Sequence, residues 1–137
     1  MIRVMVADDH PLIRQSIRSV LEKADDIEIV GEAVDGLEAV ELAQRLTPDV
    51  IVMDISMPRL DGGRAMEKIL ASASTARVVI LSGYDDKWLA LMVFQKGARG
   101  YVLKDDIQPE LLLAIRAASK EETYLSTAMP SSILNSL

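Results

Sequence analysis

Short, continuously apolar runs rich in β-branched residues alternate along this chain with segments whose apolar residues return every three or four positions. The runs are Ile2–Ala7, Ile27–Ala33, Val50–Met53, Val78–Leu81 and Arg99–Leu103. Several are too uniformly apolar for a sheet with one wet face, so helices must cover both faces. The intervening segments supply those helices. Pro11 suits a first helical turn and is followed by Ile13, Ile17, Val20, Leu21 and Ala24 on one stripe. A second helix runs from Gly36 to Leu46 and stops before Pro48. A third follows the turn from Pro58 to Gly63 and carries Met66, Ile69 and Leu70 toward the sheet. Asp85 or Asp86 caps a fourth that Gly97 closes, and Pro109 opens a fifth with Leu112, Ile115 and Ala118 aligned.

Crossovers this short demand parallel, right-handed βα units, which gives an α/β fold with a doubly wound, five-stranded parallel sheet. The strand order 2-1-3-4-5, the flavodoxin-like arrangement, sets the first and third strands side by side. That matters because of what ends the runs. The first breaks off at Asp8-Asp9, the third at Asp54 and the fifth at Lys104. Side chains at the carboxyl edge of such a sheet project into one crevice, so three acids and an amine distant in sequence form a single site.

Carboxylates crowded together repel, and a divalent cation or a neighbouring amine keeps them charged. Mg2+ takes oxygen ligands and retains waters, which suits Asp9 and Asp54 as direct ligands, Asp8 through water, and the backbone carbonyl of Ser56. With that charge offset, Asp54 is available as an oxygen nucleophile toward a phosphoryl group. Lys104 supplies positive charge and Ser82 a hydroxyl to the transferred oxygens, and the product is an aspartyl phosphate.

Composition narrows the alternatives. A chain of 137 residues that is half hydrophobic fits one domain, and a net charge of -6 disfavours a grip on a nucleic-acid backbone by this segment. Without cysteine there are no disulfides and no thiolate metal sites, which agrees with a cytoplasmic protein. Nor is there a charged-then-apolar leader or an apolar stretch of about 18 residues, so no membrane partner is expected.

Asp8-Asp9, Asp54 within Val-Met-Asp-Ile-Ser-Met-Pro, Asp61-Gly62, Ser82-Gly83 and Gly100-Tyr101-Val102-Leu103-Lys104 together resemble the receiver domain of bacterial two-component response regulators. The likeness covers residues 2 to 122 with all five motifs in register. Ala-Asp-Asp-His-Pro-Leu-Ile-Arg and Gly-Tyr-Val-Leu-Lys-Asp are similar to the subfamily with a LuxR-like helix-turn-helix, the NarL/FixJ type. The resemblance implies Asp54 as phosphoacceptor from a sensor histidine kinase, Asp8 and Asp9 for Mg2+, and Ser82 with Lys104 on the phosphoryl group. It implies Tyr101 as a switch whose ring turns inward when Ser82 moves, and a protein that catalyses its own phosphorylation and dephosphorylation without being an enzyme toward other substrates. It also implies transcription control, with DNA reached only through a C-terminal helix-turn-helix for which the chain up to Leu137 leaves no room. Residues 1–122 then form the receiver and 123–137 a linker or the start of a connecting helix. One departure concerns the turn after Lys104, where many receivers have a cis proline and Asp105 stands here.

Blander readings apply to single residues. Asp9 could cap the Pro11 helix, Tyr101 is by default a half-buried strand aromatic, and His10, the only histidine, reads as a loop residue near the site. In the fourth helix Leu89, Met92 and Val93 make one apolar stripe while Trp88, Leu91 and Phe94 make much of another. Such a helix is either covered twice or meets a homodimer mate or effector. Three other functions share this architecture. A phosphatase with an aspartyl nucleophile wants a second acid two positions on in the first strand's loop. A flavodoxin-like cofactor binder wants a hydroxyl- and glycine-rich phosphate cradle there. An inert module has no need of the acids and lysine.

Overall fold

The computed structural model describes residues 1–72 and 75–137. Its strands are β1 Ile2–Ala7, β2 Ile27–Ala33, β3 Val50–Asp54, β4 Arg77–Ser82, β5 Gly100–Leu103 and β6 Tyr124–Leu125. The helices are α1 Pro11–Glu22, α2 Gly36–Leu46, α3 Gly62–Ala71, α4 Lys87–Gln95, α5 Ile107–Ser119 and α6 Ser132–Asn135, with a 3-10 turn at Lys104–Asp106 before α5. All the pairings are parallel and the order is β2-β1-β3-β4-β5-β6. The expected five-stranded 2-1-3-4-5 arrangement is therefore present, and among the described residues the short β6 adds a sixth strand beside β5.

Alternation along the strands builds two apolar layers. Val4, Val6, Val50, Val52, Val79, Leu81 and Val102 point to the side covered by α1 and α5, where they meet Ile17, Leu21, Leu111 and Ile115. Their neighbours Met5, Ala7, Ile51, Met53, Val78, Ile80 and Tyr101 point to the other side, against residues of α2, α3, α4 and α6. A strand buried on both faces has no place for a polar side chain until it leaves the sheet, which is why the charged groups stand at the ends.

Local chemistry sets the helix starts. The Asp35 carboxylate accepts from the Glu38 amide at 2.8 Å while the Glu38 side chain accepts from the Val34 amide at 2.9 Å, so two otherwise orphaned donors at the start of α2 are paired. Asp61 accepts from the Arg64 amide at 3.0 Å to open α3, and Asp86 from the Trp88 amide at 2.9 Å to open α4. Gly97 lies just past α4 at φ +112°, a conformation that favours glycine. Helix α5 begins at Ile107, two residues before Pro109, which remains in the first turn where its missing N–H costs nothing. Its buried stripe is Ile107, Leu111, Ala114, Ile115 and Ala118, so Leu112 is only half-buried rather than central.

The segment after α5 packs onto the domain. Tyr124 and Leu125 pair with Gly100 and Tyr101, and Met129 and Ile133 are buried in the layer that holds Phe94 and Tyr101. A polar clamp fixes it. Glu110, buried on α5, accepts from the Tyr124 hydroxyl at 2.5 Å and the Thr127 amide at 2.9 Å, and the buried Ser126 hydroxyl accepts from the Leu103 amide at 2.9 Å. No helix among the described residues is long and apolar enough to cross a membrane.

Candidate functional site

β1 delivers Asp8 and Asp9 one and two residues past its last paired position, β3 ends on Asp54, and Lys104 follows β5 directly. Because β1 and β3 are adjacent, the acids of both arrive at one edge. The side chains of Asp8 and Asp54 are fully buried, and Asp9 is 30% and Lys104 19% exposed. The Lys104 Nζ stands 3.1 Å from Asp54 Oδ2 and 3.9 Å from Asp8 Oδ2. Asp8, Asp9, Asp54 and Lys104 are thus gathered as expected.

Close backbone approach holds Asp54 in place. The Gly62 amide donates to the Ile55 carbonyl at 3.0 Å, drawing the start of α3 against the end of β3. A Cβ on Gly62 would lie 2.0 Å from the Asp54 carbonyl oxygen, so only glycine fits there. Ser56 enters through its amide, which donates to Asp54 Oδ1 at 3.1 Å.

Burial pushes the Asp54 carboxyl above the ordinary carboxylate range. The Ser56 amide opposes that shift, the Asp8 charge adds to it, and Lys104 opposes it again. The residual cost is visible in buried oxygens without a well-directed hydrogen bond among the described residues: Asp8 Oδ2, and Asp9 Oδ1 and Asp54 Oδ2, which face His10 Nδ1 and Lys104 Nζ respectively, each at 3.1 Å. Acceptor oxygens gathered in this way around one point are what a hard cation with oxygen preference requires, so the donor set fits Mg2+.

Asp9 does not cap α1. The cap position is held by His10, whose side chain makes no capping bond, and Pro11 follows at the first helical position. Instead the His10 ring reaches into the cluster. Its amide donates to Asp8 Oδ1 at 2.7 Å, and its Nδ1 lies within 3.8 Å of oxygens on Asp8, Asp9 and Asp54. The sequence reads His10 as a loop residue near the site, and it lies there, between β1 and α1; its contact with the acids is what that reading lacks. The available signal was its position directly after two acids and before a proline that directs the chain into α1.

Ser82 ends β4 one residue beyond Leu81, the partner of Asp54. Its hydroxyl accepts from the Tyr84 amide at 3.0 Å, while the Tyr84 carbonyl accepts from the Tyr101 hydroxyl at 2.6 Å. The backbone of one residue, Tyr84, thereby links Ser82 to Tyr101. The Tyr101 ring is fully buried rather than half-buried, and burial pushes its phenol up. Beside it, a cleft lined by Gly83, Asp85, Leu103, Lys104 and Asp105 opens to solvent. No cis peptide bond occurs among the described residues, the Lys104–Asp105 bond included.

Helix α4 is covered once and a little more. Ala90, Val93 and Phe94 are buried, Leu89 and Leu91 partly, while Met92 of one apolar stripe and Trp88 of the other are exposed together with the nearby Tyr84. α6 covers part of the remaining face, with Ile133 beside Trp88 and Leu91.

Known proteins share both sequence and geometry. The transcriptional regulatory protein LiaR of Bacillus subtilis is 40% identical over 137 residues, which cover 100% of this chain and 65% of LiaR. A LuxR-family two-component response regulator from Aurantimonas superposes with a TM-score of 0.91 at 33% identity, covering 99% of this chain and 97% of that one. The isolated receiver of RcsB from Salmonella enterica, solved with the phosphomimetic BeF3-, gives 0.84 at 26% identity over 99% of this chain and 98% of that one. The chain spans just under two thirds of the length of the curated relatives it matches. The family model described as the response regulator receiver domain matches residues 4–116, a span that holds the acid cluster, Lys104 and the β1 to β5 frame except Ile2 and Arg3. With that sheet order and those residues at its carboxyl edge, the chain belongs to the response regulator receiver domain family.

Proposed function

We propose that this chain is a phosphoacceptor switch in which Asp54 receives a phosphoryl group from the phosphohistidine of a sensor kinase. One observation carries the reading: the Asp54 carboxylate is buried, with Lys104 at 3.1 Å and the buried oxygens Asp8 Oδ2 and Asp9 Oδ1 beside it. A carboxylate oxygen of Asp54 attacks phosphorus, the donor's P–N bond breaks, and the imidazole leaves. Lys104 meets the charge on the transferred oxygens, and the Ser82 hydroxyl, which accepts from Tyr84, keeps its proton to donate to them. Asp8, Asp9, Asp54 and the Ser56 carbonyl would hold Mg2+. When bound, Mg2+ supplies positive charge that offsets the carboxylates and the phosphoryl oxygens. Attack of water on the phosphoaspartate returns the chain to its starting state.

The output is a changed surface. Once Ser82 turns to the phosphoryl group it releases the Tyr84 amide, and Tyr84 also holds Tyr101. That rearrangement repositions α4 and β5 and alters what Trp88 and Met92 present to a homodimer mate or effector. LiaR is named a transcriptional regulatory protein, and the RcsB receiver was solved with a phosphomimetic. Those names support transcription control through a DNA-binding domain outside residues 1–137.

Intact mass after incubation with Mg2+ and acetyl phosphate tests the acceptor reading. One added phosphoryl group is expected, and none in Asp54→Asn; a mass unchanged in the unmodified chain refutes it. Trp88 is the sole tryptophan. If its emission and the association state both stay fixed on adding BeF3- with Mg2+, the coupling to α4 is wrong.

A further inference from the structure

The acid cluster holds a nitrogen donor that a plain Mg2+ site does not use. His10 Nδ1 lies 3.1 Å from Asp9 Oδ1, 3.2 Å from Asp8 Oδ1 and 3.8 Å from Asp54 Oδ2. One ligand atom from each of Asp8, Asp9, His10 and Asp54 falls within 4.8 Å of all the others. Ligands of one tetrahedral Zn2+ ion at about 2.0–2.2 Å each stand roughly 3.4 Å apart, so a closure of the widest separations by about 1.4 Å brings all four onto one ion. Two features aim these groups inward. The His10 amide is tied to Asp8 Oδ1 at 2.7 Å just before Pro11, and the fully buried Asp8 keeps Oδ2 in the cluster without a hydrogen-bond partner among the described residues, while Asp54 Oδ2 faces Lys104 Nζ at 3.1 Å.

We infer that His10 sets the metal preference of this site: Zn2+, Ni2+ or Co2+ takes Asp8, Asp9, Asp54 and the His10 imidazole together, whereas Mg2+ uses the oxygens alone. Mg2+ is a hard ion that takes oxygen and keeps its waters, while imidazole nitrogen suits the later first-row ions. Three carboxylates and one imidazole therefore favour the second class. The consequence is competition for one site, because both classes of ion draw on Asp8, Asp9 and Asp54 and an ion that engages His10 excludes Mg2+. The inference rests on the cluster being a cation site at all, and its test separates the two claims.

Calorimetric titration of the whole chain with Ni2+ alone and with Mg2+ alone is run on the unmodified protein and on His10→Ala and His10→Gln. His10 is 56% exposed on its side chain, so both variants keep the fold. The expected result is a loss of roughly tenfold or more in Ni2+ affinity in both variants, with Mg2+ affinity changed by less than about twofold. Because the chain has a single histidine and no cysteine, its 15N imidazole resonances report this residue alone. Zn2+ is expected to shift Nδ1, and Mg2+ to leave it in place. Ni2+ affinity that survives both substitutions, or Zn2+ saturation with the imidazole resonances unmoved, overturns the inference. Mg2+ that binds none of the three proteins overturns the parent reading instead.

Discussion

Gly62→Ala probes how tightly the backbone positions the acceptor. The added Cβ would lie 2.0 Å from the Asp54 carbonyl oxygen, 2.9 Å from the Asp54 carbonyl carbon and 2.9 Å from the Ile55 Cα. All three contacts are backbone, so no side chain can swing away. Ordinary carbon contacts begin near 3.5 Å, so the start of α3 and the end of β3 must separate by more than about 1 Å. Overpacking of this kind costs about 1–3 kcal/mol, and a misplacement near 1 Å at a reacting group costs on the order of a hundredfold in rate. Urea unfolding followed by circular dichroism reads the first quantity. The rate of phosphoryl incorporation from acetyl phosphate at fixed Mg2+, read by intact mass, gives the second. Gly62→Ala that keeps both the unfolding midpoint and the rate of the unmodified chain would refute the claim that this contact fixes Asp54.

Other expectations concern charge and the tail. Asp54→Asn removes a buried charge beside Asp8 and should stabilise the metal-free chain by on the order of 1 kcal/mol, as is usual when a strained functional group is relieved. Mg2+ should raise the melting temperature of the unmodified chain more than that of the variant. Burial works to raise the Glu110 carboxyl, but the Tyr124 hydroxyl and the Thr127 amide and hydroxyl bonds hold it below its ordinary value of 4.5. Its stabilisation is therefore present above 4.5 and lost as pH falls through the depressed value. Glu110→Gln should cost about 1–2 kcal/mol at neutral pH and flatten that acid limb in a pH series of urea midpoints. Deleting residues 123–137 uncovers the layer around Phe94 and Tyr101 by removing Met129 and Ile133, each worth about 1.5–3 kcal/mol. A deletion that melts with the full chain would contradict the packing of β6 and α6.

Most of the frame was legible because burial on two faces leaves an unmistakable pattern. Val50–Met53 and Val78–Leu81 read as central strands, and the ends of Val50–Met53 and Arg99–Leu103 put Asp54 and Lys104 at one edge. The tail was not legible. Tyr124 and Leu125 are too few to show a period, and what holds them is a glutamate on α5 and the Leu103 amide, distant in sequence, which donates to the adjoining Ser126 hydroxyl. Glu110 itself looks like any acid in a first helical turn, and only the tertiary fold buries it. His10 was legible as a loop residue near the site, but its contact with the acids was not, for a related reason. A lone histidine carries no motif, and its role depends on a ring direction set by the Asp8 bond to its amide. Which of the two α4 stripes faces inward could not be read, because the helix is apolar nearly all round and periodicity alone does not choose a face.

The most direct test identifies the atom that is modified. Borohydride reduction after treatment with acetyl phosphate and Mg2+ converts an aspartyl phosphate to homoserine, and peptide mass spectrometry then locates it. Homoserine at position 54 alone, dependent on Mg2+, is the predicted outcome. Reduction product at Asp8, at Asp9 or at any other acid, or none at all, would contradict the assignment of Asp54 as the acceptor.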